Sequence, residues 1–357
     1  MNKVLEYFDK LNKEPIINKK INVAGWKFNF EHQLISSITP YLFEELNIIE
    51  HLAPLTNENR DKRIKEKVYI TLHDTGDTID SHTAKFWSDT VFYEKWIDSN
   101  EPYKASYQYV VGNDGIYHNI PDNEVAYHAG DTTQFDYKLY DTGLKEQDTC
   151  SVSIDEEGYY TINNQRTKIL APIFEKEKNG VLIKRLCTKD DINDQGICVV
   201  RQNGSFYIGE TYFNKTYEKI ANRGGNNNSI GIESCVNQNT NIYYTWQLTA
   251  KLIARLLDEN NLTIKDIKQH HYFSGKNCPQ TMRENNLYDH VMHLVEVESK
   301  IKEFIKEGYT INLYVEDDFI LPNGIIKNLP NNIKEIKYKV ETIYNNVKES
   351  HTFIKLV

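Results

Sequence analysis

The sequence lacks any long apolar segment. No stretch of eighteen apolar residues, about the length that a membrane-spanning helix needs, occurs among its 357 residues. The N-terminal segment Met1–Lys10 also lacks the continuous apolar core of a secretory signal. These absences predict a soluble chain with no membrane insertion and no standard export signal.

Cysteine is also scarce, and basic residues are outnumbered by acidic ones. The five cysteines show no regular disulfide framework, and whether Cys187 and Cys198 pair is left open. Acidic residues (51) exceed basic ones (42), and the resulting net charge of −9 argues against nucleic-acid binding through broad phosphate contacts. The sequence has no His-Glu-x-x-His motif, which excludes the zinc-peptidase site built on that helix.

The sequence does contain metal-ligating residue types in a short span, from His270 to Cys278. A glycine within this span and a proline directly after it disfavour one helix carrying both side chains, so we expect a loop folded back on itself. Imidazole and thiolate favour Zn²⁺ over Mg²⁺ or Ca²⁺, and a catalytic zinc needs a third protein ligand. The best candidate is His73, because the alternating run 67–73 predicts a strand that ends at this histidine.

Five short motifs follow one another along the chain. They are His73, Tyr107–Gly115, Tyr127–Gly130, Ile230–Glu233 and His270–Cys278. In this order they resemble the zinc-dependent N-acetylmuramoyl-L-alanine amidases of the type 2 family, which includes phage lysins and the peptidoglycan recognition proteins. The resemblance covers roughly residues 63 to 300.

The resemblance implies a fold and a metal site. The fold is an α/β fold with a mixed central β-sheet flanked by helices. The implied ligands of Zn²⁺ are His73, His270 and Cys278. The adjacent His271 is a rival for His270, although the family's second histidine lies eight residues before the last ligand, which favours His270.

The resemblance also implies a set of residues around the metal. Glu233 corresponds to the family's catalytic carboxylate and is our first candidate for the proton shuttle. Lys276, two residues before the cysteine ligand, is the candidate for stabilising the oxyanion. Tyr107 is a third catalytic candidate, because other branches of the family use a tyrosine on the corresponding strand. His128 matches a position that lines the substrate groove, so we expect it to bind substrate.

The pattern of apolar and turn residues predicts three regions. Residues 1–62 are expected to form an N-terminal helical lobe or extension, because Ile35, Ile38, Leu42 and Leu46 recur at helical spacing. Residues 63–308 form the amidase domain, with a β-rich insertion at about 133–222 that is expected to wall the groove. Residues 309–357 form a small all-β module, similar to a β-sandwich, for contact with a virion or a wall polymer.

The function implied by the resemblance is hydrolysis of peptidoglycan at the amide between N-acetylmuramic acid and L-alanine by zinc-activated water. The alternative is a non-catalytic peptidoglycan-binding protein, or a phage virion structural protein, of the same fold. Cys278 and Lys276 are both present, which favours hydrolysis. Without an export signal we expect a phage-encoded endolysin that reaches the wall after holin release or from the virion. A secreted mature chain is the alternative.

Overall fold

The computed structural model describes residues 2–65, 67–130, 140–147, 151–171, 173–178, 181–186, 188, 199–202, 204–208, 225–274 and 276–357. Its helices are α1 (Lys3–Asn12), α2 (Ala84–Tyr93), α3 (Gly225–Asn228), α4 (Ile242–Glu259), α5 (His270–Ser274), α6 (Gln280–Glu284) and α7 (Tyr288–Lys306). Among these described residues, no helix combines the length and the apolar character needed to cross a bilayer.

The strands within the same ranges follow in chain order. They are β1 (Asn18–Val23), β2 (Phe30–Ile35), β3 (Ile48–Glu50), β4 (Asp61–Ile64), β5 (Tyr69–Asp74), β6 (Tyr109–Gly112), β7 (Gly115–His118), β8 (Glu124–Val125), β9 (Tyr140–Lys145), β10 (Val152–Ile154), β11 (Tyr159–Ile162), β12 (Gln165–Leu170), β13 (Ile173–Lys178), β14 (Val181–Leu186), β15 (Val199–Gln202), β16 (Ser205–Ile208), β17 (Ser229–Ser234), β18 (Ile267–Gln269), β19 (Thr310–Val315), β20 (Glu335–Tyr344) and β21 (Val347–Leu356).

A six-stranded mixed sheet lies at the centre, in the order β18-β5-β17-β6-β7-β3. Its first four strands are parallel, β7 is antiparallel to β6, and β3 is parallel to β7. This arrangement confirms the predicted α/β fold with a mixed central sheet.

Helices cover both faces of this sheet. Consecutive residues of a strand point to opposite faces, and in β6 Val110 packs in one apolar cluster with Trp87 of α2, whereas Val111 packs in another with Trp246 of α4. Strand β5 is accordingly buried without interruption from Ile70 to Asp74, as expected for a parallel strand covered on both sides.

The helical prediction for residues 35–46 is wrong. Residues 30–35 form β2, which pairs antiparallel with β1, and residues 36–47 adopt no regular structure. Pro40 lies in the middle of the supposed helix and has no N–H to donate, which opposes helix formation there. The predicted domain boundary at residue 62 stays a prediction. Residues on the N-terminal side of it contact the rest of the chain, because β3 belongs to the central sheet and α1 packs against β20 and β21.

Residues 309–357 are all-β, as predicted, but they form one sheet and not a sandwich. Strands β19, β20 and β21 make a single antiparallel sheet. Three strands are too few for two packed sheets, and α1 and α7 supply the second layer instead. Phe8 of α1, Ile301 of α7 and Val340 of β20 are buried in the same apolar cluster.

The β-rich character predicted for 133–222 is confirmed within the described part of this region. Strands β11 and β12 form a hairpin whose turn residues Asn163 and Asn164 have positive φ (51° and 61°), as a tight hairpin turn requires. Strands β13 and β14 also pair antiparallel. Cys187 and Cys198 lie outside the described residues, and the role of the insertion stays a prediction.

Candidate active site

The carboxyl ends of three neighbouring parallel strands meet at one edge of the central sheet. His73 and Glu233 are register partners on β5 and β17. Gln269 on β18 is the partner of Leu72, so that the next residue, His270, lies beside His73. In open α/β sheets ligands bind outside the carboxyl ends of strands. A ligand site is therefore expected at this edge.

Three side chains meet there at distances suited to a shared ion. His73 Nδ1 lies 3.1 Å from His270 Nδ1 and 3.7 Å from Cys278 Sγ, and the three ligand atoms all lie within 4.8 Å of one another. A tetrahedral zinc holds two nitrogens about 3.3 Å apart and a nitrogen and a sulfur about 3.6 Å apart. The spacing and the donor set both fit Zn²⁺.

The structure distinguishes the two neighbouring histidines by position. His270 is the first residue of the five-residue helix α5, and it belongs with His73 and Cys278 to the cluster of candidate metal ligands. His271 lies outside that cluster, and its backbone N–H donates to the Cys278 carbonyl at 3.1 Å. The segment between His270 and Cys278, expected to be a loop, is thus partly helical, over His270–Ser274.

Burial sets the protonation of the cluster. It lowers the pKa of His73 to about 3, with a smaller contribution from the Lys276 ammonium, and it holds the pKa of His270 well below its usual range. Both imidazoles are therefore neutral and have a lone pair for a metal. Burial also raises the pKa of the Cys278 thiol, and coordination to a divalent cation is what would favour the thiolate.

Glu233 points toward the same cluster. Its Oε1 lies 3.7 Å from His73 Nδ1, and 15% of its side chain is exposed to the cavity. Burial raises the pKa of Glu233 to about 8, the nearby Lys276 ammonium opposes that rise, and Asp74 adds to it. Lys276 itself is exposed and lines the cavity. The carboxyl group is thus poised to exchange a proton near neutral pH.

His128 contacts His73 of the cluster directly. Its Nδ1 lies 3.0 Å from His73 Nε2, the ring nitrogen on the side away from the cluster. The Asn226 side chain accepts hydrogen bonds from the N–H groups of His128 and Ala129 at 2.8 and 2.7 Å. Gly231 leaves room for the imidazole, because a Cβ there would come within 2.7 Å of it. Sequence analysis missed Asn226 and gave Gly231 of the Ile230–Glu233 motif no role of its own, since neither side chain is titratable.

Tyr107 lines the cavity, but it is buried and its hydroxyl is bonded to a backbone carbonyl. It precedes β6, is 2% exposed, and donates to the Trp87 carbonyl at 3.2 Å. Burial raises the pKa of this hydroxyl well above its usual value. Both observations argue against proton transfer by Tyr107 at neutral pH. Glu233, whose pKa is about 8, is the stronger candidate for that role.

These residues open onto a cavity of about 700 Å³. Glu233, Lys276 and His128 line it together with the three cluster residues. So do four aromatic side chains that sequence analysis did not assign to the site: Trp26, Trp87, Trp96 and Tyr103. The sequence held one indication of Trp26: it follows Gly25 in a short segment between two alternating runs.

Comparison with known proteins agrees with this geometry. The sequence model of the N-acetylmuramoyl-L-alanine amidase family matches residues 64–281, well over half of the chain. N-acetylmuramoyl-L-alanine amidase CwlA of Bacillus subtilis (strain 168) is 28% identical over 117 residues, which are 30% of this chain and 43% of that protein. The chain therefore spans less than half the length of this curated relative.

Solved structures with some likeness include the catalytic domain of XlyA, with 20% identity and a TM-score of 0.40, covering 70% of this chain and 99% of that one. A mutant endolysin from Bacillus subtilis is also 20% identical, with a TM-score of 0.41 and the same coverage.

Proposed function

Because this chain belongs to the N-acetylmuramoyl-L-alanine amidase family, we propose that it hydrolyses the amide between the lactyl group of N-acetylmuramic acid and L-alanine in peptidoglycan. The observation that carries the proposal is the cluster of His73, His270 and Cys278 with Glu233 beside it at one strand-end edge. Two neutral imidazoles and a cysteine that can bind a metal as its thiolate, with a proton-exchanging carboxyl group beside them, suit metal-assisted amide hydrolysis.

His73, His270 and Cys278 are proposed to hold one Zn²⁺ and to leave its fourth position open. Zn²⁺ in such a site lowers the pKa of water to about 7 and polarises a carbonyl group. His128 is proposed to keep His73 in the tautomer whose Nδ1 is free for the ion, because the proton on Nε2 is then donated to His128 Nδ1. The earlier prediction that His128 binds substrate is compatible with its place in the cavity wall.

Glu233 is proposed to take the proton from the attacking water and to deliver it to the leaving amine nitrogen. Its raised pKa suits both halves of this transfer at neutral pH, and a bound dication would lower that pKa further toward neutrality. Lys276 is proposed to meet the negative charge that develops on the carbonyl oxygen. Its ammonium already acts electrostatically on Glu233 and His73.

Incubation of the protein with purified sacculi tests the proposal. We expect new L-alanine amino termini to appear without new reducing sugar ends, the release to stop with a chelator, and Zn²⁺ to restore it. Glu233→Gln should bind sacculi without releasing amino termini. New reducing ends alone would mean a glycosidase, and binding without any release by the wild type would leave only the non-catalytic alternative. Contact of 309–357 with a virion or a wall polymer, and a phage origin, stay predictions.

A further inference from the structure

An aromatic wall flanks the cluster of His73, His270 and Cys278. Three of the chain's four tryptophans, Trp26, Trp87 and Trp96, line the same cavity as these residues. The centroids of Trp26 and Trp96 are 5.6 Å apart, and those of Trp96 and Trp87 are 5.3 Å apart. The three rings thus form one continuous series of tilted and edge-to-face contacts along the cavity.

The exposed fraction of the ring increases from Trp87 through Trp96 to Trp26. Trp87 is 5% exposed, Trp96 is half-buried, and Trp26 is 55% exposed. Leaving so much of a tryptophan in water forgoes the stabilisation that its burial would give. The Trp26 ring is nevertheless held in tilted contact with Trp96, and it offers apolar surface to the cavity that it lines.

The segment that carries Trp26 is fixed to the loop that follows the metal-site strand. The backbone N–H of Trp26 donates to the Gly76 carbonyl at 3.1 Å, and the Thr78 hydroxyl donates to the Phe28 carbonyl at 2.8 Å. A Cβ at Gly25 would come within 2.4 Å of the Thr78 hydroxyl oxygen, so this close approach requires glycine. The position of Trp26 relative to His73 is therefore set by backbone contacts.

Trp26 lies outside residues 64–281, so the family match does not account for it. The substrate of the proposed reaction has two chemically different sides. The stem peptide carries carboxylate and amino groups, whereas the sugar whose lactyl group is in amide linkage is uncharged and has an apolar ring face. An aromatic face suits the sugar, because aliphatic C–H groups of a pyranose pack on the negative face of an indole. The exposed Lys27 ammonium lies 5.0 Å from the Trp26 ring centroid and would be displaced by such a ligand.

We propose that Trp26, supported by Trp96, forms a subsite for a pyranose ring of the glycan strand. This inference rests on the proposed function, because it names the part of the substrate that the aromatic wall holds. It makes Trp26 a substrate-binding residue supplied by the N-terminal region, and it predicts that glycan-bearing substrates bind more tightly than substrates that carry only the lactyl-peptide.

Calorimetric titration of the full chain with peptide-free glycan oligosaccharides tests the subsite without relying on catalysis. Trp26→Ala should weaken this binding about three- to tenfold, and Trp26→Phe should retain most of it. Tyr93→Ala is the matched control, because Tyr93 is equally exposed (55%) but does not line the cavity. Unchanged glycan binding by Trp26→Ala, or an equal loss in Tyr93→Ala, overturns the inference.

Kinetics with two substrates separate this inference from the proposed function. Trp26→Ala should raise KM for a disaccharide-peptide with little change in kcat, and should leave KM for a lactyl-peptide without sugar unchanged. An equal rise in KM for both substrates overturns the inference while the proposed function stands. Glycan binding that depends on Trp26 in a chain that cleaves neither substrate supports the subsite and overturns the proposed function.

Discussion

Replacing His128 by alanine is expected to weaken Zn²⁺ binding about 10- to 100-fold, which corresponds to about 1.4 to 2.7 kcal/mol. The reason is the 3.0 Å contact between His128 Nδ1 and His73 Nε2. Without it, the proton of His73 is free to move to Nδ1, the atom that faces His270 and Cys278. Part of the binding free energy is then spent on restoring the tautomer and the ring orientation.

Competition with a chromophoric chelator at pH 7 measures this loss. His128→Gln should recover part of the affinity, because the side-chain amide oxygen can accept the same proton. His118→Ala is a suitable control, since His118 is also a half-buried histidine but bonds to Glu50 outside the cavity. Wild-type Zn²⁺ affinity in His128→Ala, accompanied by a raised KM, would refute the positioning role and leave His128 as a substrate-binding residue alone.

Three further substitutions test other parts of the account. Glu233→Gln should lower kcat about 10²- to 10⁴-fold in the sacculus assay while bound zinc stays the same by elemental analysis. Tyr107→Phe should change kcat by only a few fold, because the hydroxyl is bonded to the Trp87 carbonyl; a loss as large as that of Glu233→Gln would contradict this. Burial lowers the pKa of Lys65 to about 7 in the folded protein. Between pH 7 and the higher pKa of Lys65 in the unfolded chain, the unfolded chain binds more protons than the folded one, so the free energy of unfolding rises with pH. Thermal unfolding should therefore show a larger gain from Lys65→Met at pH 6 than at pH 9.

The motifs of the sequence predicted the family and the central sheet because local patterns encode them. Five motifs in order identified the family, and most of the run 67–73 lies in β5, which begins at Tyr69 and ends one residue after His73, at Asp74. The register of β18, β5 and β17 could not be predicted, because hydrogen bonds between distant strands set it. The choice between His270 and His271 depends on where the short helix α5 begins, and a single residue decides which imidazole faces the cluster.

Long-range packing explains what the sequence did not predict. The helix α1 is anchored to strands more than three hundred residues away, as in the bond from the Asn2 side chain to the Thr342 hydroxyl, 2.7 Å long. Trp26 reaches the cavity through contacts with residues 76–78 that no local pattern encodes. The helical spacing between residues 35 and 46 was misleading, because the backbone there is bonded to distant segments. Ile35 pairs with β1, and the N–H groups of Ile38 and Phe43 donate to the carbonyls of Gly324 and Asn323.

Zinc-edge X-ray absorption of the Zn²⁺-loaded protein tests the central metal site most directly. We expect one sulfur at about 2.3 Å and two imidazole nitrogens at about 2.0 to 2.1 Å. Cys278→Ser should remove the sulfur signal, whereas Cys235→Ala should keep it; Cys235 is the other buried free cysteine among the described residues. His270→Ala should remove one imidazole, and His271→Ala should remove none. A spectrum without sulfur, or one that Cys278→Ser leaves unchanged, would contradict the account.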